Sequence, residues 1–206
     1  MIRLIAFDLD GVLVDGWGSW SAVHKGLGTY EKARENANSF FRGEISFGQW
    51  ADLDVSLWRG TNIAEIERIL SEVPLMTGIH ETLNYLKPRY KIAIISGGLK
   101  LMADRIARTF DLDHAIGNTL EVESGKVVGV GKEVEFEGKG RELERIAAAE
   151  GIAVEECAAV GDYLNDIPMF ELAGYSVAFN PQDDRILEHA DVVIRKKDLR
   201  NLLDYF

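Results

Sequence analysis

The sequence predicts an α/β fold, a parallel sheet covered by helices, with a helical subdomain inserted after the first strand. Two observations carry this. Apolar runs of strand length alternate with segments of helical period through most of the chain. The stretch from about residue 15 to residue 77 breaks that alternation, because it has helical period, no convincing strand and all four tryptophans, Trp17, Trp20, Trp50 and Trp58. The chain thus divides into an α/β core of residues 1–14 and 78–206 and an insertion of residues 15–77.

Taken in order, residues 4–8, 91–96, 157–161 and 191–194 are the clearest strands. Each is short, nearly continuous in apolar residues and ended by polar or glycine residues, the pattern of strands buried on both faces. Pro74 and Gly78 mark the point where the chain returns from the insertion. Helices are expected over 79–87, 99–110, 140–150, 166–173, 184–189 and 198–203, several with an acidic or serine start and a glycine or proline stop nearby. Between Leu120 and Phe136 the alternation around Ser124 and Gly125 reads as a β-hairpin beside the main sheet.

A hydrophobic content of 47% in 206 residues suffices for one substantial core, or a core with a small insertion. Cys157 is the only cysteine, which excludes a disulfide framework and fits a reducing compartment. With 34 acidic against 23 basic residues, the net charge of −11 disfavours nucleic acid and anionic membrane as partners. The first residues lack the features of an export signal, and no uncharged run reaches the roughly 18 residues that span a bilayer, so a cytoplasmic location is expected. In so acidic a chain, any phosphate site must draw local positive charge from a metal, a lysine or backbone amides.

Four elements carry chemistry. In Phe7-Asp8-Leu9-Asp10-Gly11 a buried strand ends in two alternating aspartates, at the strand end where open α/β sheets bind ligands. In Ser96-Gly97-Gly98 a hydroxyl and glycine amides follow a strand and precede a helix, a place for an anion, although an ordinary serine N-cap explains the same residues. Lys139 stands at a helix start, where a cation gains from an anion beside it; a solvated surface lysine is the alternative. In Gly161-Asp162-Tyr163-Leu164-Asn165-Asp166, helical spacing puts Asp162, Asn165 and Asp166 on one side. Clustered carboxylates there call for a cation, and their hard oxygens suit Mg²⁺. Aspartate capping accounts for Asp162 but not for Asp166.

Together and in this order, the four elements resemble the motifs of the haloacid dehalogenase-like hydrolase superfamily. The resemblance runs through nearly the whole chain and is strongest, from Lys139 onward, to the phosphoserine phosphatase branch. It implies a Rossmann-like core with a helical cap over the active site, and an Mg²⁺-dependent phosphatase acting on small-molecule phosphate esters. By the same resemblance Asp8 is the nucleophile and Asp10 the general acid and base. Mg²⁺ is held by Asp8, the carbonyl of Asp10 and Asp162, with Asp166 close by, and Ser96, Gly97, Lys139 and Asn165 serve the phosphoryl group.

The chain departs from that branch in the insertion. Relatives of this branch use a glutamate soon after the first motif and an arginine in the cap to hold phosphoserine; an ungapped comparison offers Trp17 and Asp54 instead. Phosphoserine is therefore disfavoured, although a shifted alignment brings Arg42 or Arg59 into range. The aromatic residues Trp17, Trp20, Tyr30, Phe40, Phe41, Phe47, Trp50 and Trp58 form either a specificity pocket or the insertion's own small core. A phosphomutase shares every motif, and a non-catalytic phosphate-binding regulatory domain is the reading from another class. His24, His80, His114 and His189 lack metal-ligand spacing and are expected to be structural or exposed.

Overall fold

A computed structural model describes residues 1–16 and 18–206, so Trp17 lies outside the described residues. Seven strands form one sheet in the order β4-β3-β2-β1-β5-β6-β7. They are β1 (Leu4–Phe7), β2 (Lys91–Leu99), β3 (His114–Glu123), β4 (Lys126–Gly131), β5 (Cys157–Gly161), β6 (Tyr175–Phe179) and β7 (Val192–Ile194). All pairings are parallel except β3 with β4. Strand β1 is fully buried, and its alternation sends Ile5 and Phe7 into one core layer and Leu4 and Ala6 into the other. Helices α5 (Ile79–Leu86), α6 (Lys100–Phe110) and α7 (Lys139–Glu150) cover the sheet.

The central position of β1 fixes where a ligand can sit. Phe7 lies opposite Ile94 of β2 on one side and Val160 of β5 on the other. The chain leaves β1 toward a neighbour on one flank and returns on the other, which opens a crevice beyond the carboxyl ends of these strands.

Between β1 and α5, among the described residues, lie α1 (Gly18–Gly26), α2 (Tyr30–Phe41), α3 (Phe47–Ser56) and α4 (Ile63–Ser71), and no strand. Local signals explain them. Ser46 and Gln49 form a reciprocal capping box at the start of α3, Asn62 caps α4 through the amide of Ala64, and α4 buries Ile66, Ile69 and Leu70 along one face. The entering and leaving segments run side by side: Asp15 N donates to Pro74 O at 2.8 Å and Met76 N to Leu13 O at 3.0 Å. No helix among the described residues is long and apolar enough to cross a membrane.

Several elements differ from the sequence expectation. The hairpin does not lie beside the sheet but belongs to it: β3 runs parallel to β2 over its first half and turns antiparallel to β4 over its second. Its polar start at His114 and the residues Gly117 and Asn118 hid the strand. Strand β6 was also hidden, because Ser176 interrupts the apolar run; its hydroxyl is bonded to Asp191 Oδ2 and His189 O at 3.0 and 3.1 Å. The segments Asp184–His189 and Leu199–Asp204 are 3-10 turns rather than α-helices, each begun by an aspartate that accepts from the amide two residues on. The helix expected over 166–173 is a 3-10 turn, Leu164–Asp166, followed by the short α8 (Ile167–Phe170).

Candidate active site

Asp8 and Asp10 leave β1 in a tight turn. The amides of Leu13 and Val14 both close on Leu9 O, at 2.9 and 3.0 Å, while Asp8 N remains tied to Val160 O at 2.8 Å. Gly11 is required twice over in this turn. Its φ is +91°, and a Cβ there would fall 2.2 Å from Asp162 Oδ2. The missing side chain lets the first motif and the fourth approach each other.

Asp8, Asp10, Ser96, Gly97, Asp162 and Asn165 all line one cavity of about 430 Å³. Lys139 and Asp166, the other two residues expected in the site, stand behind that wall, both fully buried. Lys139 Nζ lies 2.7 Å from Asp8 Oδ1 and 2.5 Å from Asp166 Oδ1. The surface alternative for this lysine is thus excluded. Burial works against its charge, but Asp166 and Asp8 outweigh that and hold it above the ordinary lysine range.

The turn at Asp162 explains Asp166. Its Oδ2 accepts from the amides of Asp162 and Tyr163 at 2.8 and 3.0 Å, and its Oδ1 from Lys139. Both oxygens are occupied, so Asp166 fixes the position of its neighbours. Asp162 is different: burial, then Asp8, then Asp166 push its carboxyl well above the ordinary range, and no hydrogen bond to it offsets them among the described residues. Burial also drives Asp8 up to about 7, against the pull of Lys139. The carboxylate oxygens of Asp8, Asp162 and Asp166 come within 4.8 Å of one another. Buried like charges at that spacing, one without a hydrogen-bond donor, fit a hard divalent cation.

Ser96 is not a helix cap. Strand β2 continues to Leu99, which precedes α6 and gives no side-chain cap, while Ser96 Oγ accepts from Gly98 N at 2.9 Å. The carbonyl of Gly97 receives two donors, Trp20 Nε1 and Asn118 Nδ2, both at 3.0 Å. These bonds hold the Ser96-Gly97-Gly98 turn in one orientation without help from a helix terminus.

Sequence reasoning missed Ser19. Fully buried at the start of α1, it donates from N and Oγ to the two oxygens of Asp10 at 2.9 and 2.8 Å, and its Oγ accepts from Leu99 N at 2.9 Å. A Cβ at Gly98 would lie 2.4 Å from Asp10 Oδ2. Burial raises the Asp10 carboxyl, and Ser19 partly counters it. A serine nine residues past Asp10, within a helix start, carries no signal that distinguishes it from a surface residue.

The cavity wall opposite these groups belongs to the inserted helices. Trp20, Phe41, Phe47, Trp50, Ala51 and Asp54 line it, with Phe136 from the segment before α7. Asp54 is buried, with Oδ1 accepting from Asn36 Nδ2 at 2.8 Å and Oδ2 lying 3.2 Å from His24 Nε2. Trp58 Nε1 lies 3.1 Å from His24 Nδ1 as a donor. Of the aromatic residues, then, Trp58 packs in the core while Trp20, Phe41, Phe47 and Trp50 face the cavity. Arg42 is exposed and forks onto Glu44, and neither it nor Arg59 reaches the cavity.

The sequence profile of the haloacid dehalogenase-like hydrolases matches residues 2–174. The chain is 35% identical to the phosphoserine phosphatase of Methanocaldococcus jannaschii, over 98% of this chain and 97% of the relative. It is 36% identical to the phosphoserine phosphatase of Archaeoglobus fulgidus, over 97% of this chain but 58% of that longer protein. Among solved structures, a phospho-aspartyl intermediate analogue of a phosphoserine phosphatase superposes with a TM-score of 0.88 at 35% identity, covering 100% of this chain and 99% of the other. A substrate-bound phosphoserine phosphatase complex gives 0.89 at 34% identity, with the same coverage. The chain belongs to the haloacid dehalogenase-like hydrolase family, in its phosphoserine phosphatase-like branch, and is a phosphomonoesterase of the aspartyl-phosphate type.

Proposed function

We propose that the protein hydrolyses small phosphate monoesters, with phosphoserine possible but disfavoured, Asp8 as nucleophile and Asp10 as acid and base. The observation that carries this is the pairing of two carboxylates on one turn, both facing the cavity and held by different partners: Asp8 by Lys139 and Asp10 by Ser19. An Asp8 oxygen attacks phosphorus as the ester P–O bond breaks, and Asp10 gives its proton to the departing alkoxide. Asp10 then takes a proton from water, whose oxygen attacks the acyl phosphate, releasing inorganic phosphate and restoring the Asp8 carboxylate. Burial raises Asp10, which suits a group that must start protonated.

Asp8, the backbone carbonyl of Asp10 and Asp162 would hold Mg²⁺, with Asp166 behind them. The ion, when bound, neutralises charge on the phosphoryl oxygens. Ser96, the amide of Gly97, Asn165 and Lys139 are assigned to orient the phosphoryl group, supplying local donors in a chain of net charge −11. The inserted helices, residues 15–77, act as the cap, excluding water and choosing the leaving group.

Phosphoserine is set aside on the chemistry of the cap wall, although the relatives bear its name. A substrate carboxylate there meets Asp54 rather than an arginine, and Lys197, the cationic side chain at the cavity, is already paired with Asp15. Phosphate release from a panel of monoesters, with Mg²⁺ and with chelator, tests the reading. Mg²⁺-dependent release that disappears in Asp8→Asn is expected. Turnover that survives Asp8→Asn, transfer to a second substrate oxygen without free phosphate, or phosphoserine as the best ester would each overturn part of it.

A further inference from the structure

We infer that the alcohol released by this enzyme is uncharged and apolar, with an aromatic or branched hydrocarbon group; this rests on the phosphatase reading above. Helix α3 supplies the first reason. Phe47, Trp50, Ala51 and Asp54 stand at the spacing of one helix face, and all four line the cavity. The face is apolar over its first two turns, and its single charge comes at the end.

That charge is already engaged. Asn36 donates to one oxygen of Asp54 and His24 lies against the other, and Asp54 is only 4% exposed, so it offers no site for a substrate ammonium. The His24 ring is itself engaged at both nitrogens, Nε2 against Asp54 and Nδ1 facing the Trp58 N–H. The wall therefore offers no cation to an anionic leaving group, and its one carboxylate is too fully engaged to recruit a cationic one.

The remaining wall is aromatic and incompletely covered. Phe41 is 58% exposed, and its ring meets Trp50 edge-on at 5.9 Å. Phe47 contacts both Trp50, at 6.0 Å, and Phe136, at 6.3 Å. Two neighbouring helices and the distant segment before α7 thus bring ring surface to the cavity beside the phosphoryl groups. Trp20 joins the two ends, because its indole N–H holds the carbonyl of Gly97 while its ring lines the same space. A cavity of about 430 Å³ holds far more than a phosphoryl group. A hydrocarbon leaving group removes this ring surface from water as it binds, which a serine or glycerol moiety cannot do.

The test uses primary alkyl esters, so that leaving-group acidity stays similar: 2-phenylethyl phosphate, propyl phosphate, phosphocholine and phosphoserine, with the Mg²⁺-loaded protein. The phenylethyl ester is expected to exceed the propyl ester in kcat/KM by about 10- to 100-fold, and the charged esters by more. Phe41→Ala, an exposed truncation that leaves folding intact, and Phe136→Leu should each shrink the phenylethyl-to-propyl ratio severalfold. Equal kcat/KM for phenylethyl and propyl phosphate, a preference for either charged ester, or a ratio unmoved in both variants would overturn the inference while leaving the phosphatase reading standing. Calorimetric binding to Asp8→Asn separates the two ideas from the other side. Tighter binding of the phenylethyl ester supports the inference even if phosphate release fails, and equal binding of all four esters refutes it.

Discussion

The two ends of the cavity are built by different physics. At the phosphoryl end, strand termini deliver carboxylates, a serine and glycine amides, and hydrogen bonds set the framework: Asp166 accepts three, Gly97 O two, and Asp10 two from Ser19. At the cap end, side chains of α2 and α3 meet Phe136 through ring contacts, and among the described residues Trp50 Nε1 is buried without a partner. Hydrogen bonds demand distances within a few tenths of an ångström, whereas ring contacts tolerate displacement. On the proposed reading the polar end determines which bond is cut, and the aromatic end how broadly the enzyme chooses whose bond it is.

The contrast breaks most completely at Asp8. Asp8→Asn keeps the shape and removes the proposed nucleophile, so turnover should fall by on the order of 10⁴ or more, measured as phosphate release, while substrate binding at the aromatic end persists. Lys139→Met comes next. Loss of the buried cation should lower kcat by about 10²–10³. It also leaves Asp8 and Asp166 facing each other, at a cost of about 3–5 kcal/mol in urea unfolding of the metal-free protein.

A third prediction concerns pH. Asp8 is raised from 3.8 to about 7, and Asp162 is raised as well, so the folded metal-free protein binds more protons than the unfolded chain. Stability from these groups is complete below about pH 4 and lost as pH rises through about 7. In chelator, melting temperature should therefore fall between pH 5 and 7.5. Mg²⁺ should restore it, and a melting curve that rises with pH in chelator would contradict the clustering of charge at the polar end.

Ser19→Ala should act more gently. With the hydroxyl donor to Asp10 gone, the charged carboxylate loses support, and the alkaline limb of the pH–rate profile should move upward. Only the hydroxyl is removed, because the backbone amide remains, so the stability cost should be about 1–2 kcal/mol. The smallest effect is expected for Trp58→Phe. It deletes the N–H that faces His24, costs about 0.5–1.5 kcal/mol in unfolding, and leaves kcat within about twofold if the cap serves choice rather than chemistry.

The same division separates what was legible in the sequence. Asp8, Asp10 and Asp162 stood out because carboxylates follow apolar strands, against the local preference. Lys139 was visible as a cation at a helix start, but that it reaches inward to two carboxylates depends on a contact between α7 and β1 that no local pattern encodes. Asp166 was legible by spacing, yet its part in fixing the Asp162 amide is set by a 3-10 turn where an α-helix was expected. Ser19 and Asn118 act on neighbours 9 and 21 residues away and gave no signal at all. On the cap, aromatic residues were conspicuous, but their assignment to core or cavity turned on which helix face met the hairpin. Trp58 went one way and Trp50 the other.

The paired entry and exit of the inserted helices carry one more implication. Leu13 and Asp15 are hydrogen-bonded directly to Met76 and Pro74, so the whole insertion hangs from two backbone points already joined to each other. Its length and winding place no constraint on how the sheet is strung. A loop of any size, or an unrelated domain, is topologically interchangeable at this seam. What an exchanged segment would have to re-create is the lateral seat on the hairpin, where Gly60 N bonds Val127 O, Val127 N bonds Thr61 O, and Lys132 meets Asp52, together with the donors that Ser19 gives Asp10 and Trp20 gives the Gly97 carbonyl. A graft that supplies that edge and those donors keeps the polar end intact and brings its own selectivity, which makes this junction the natural cut site for a chimera.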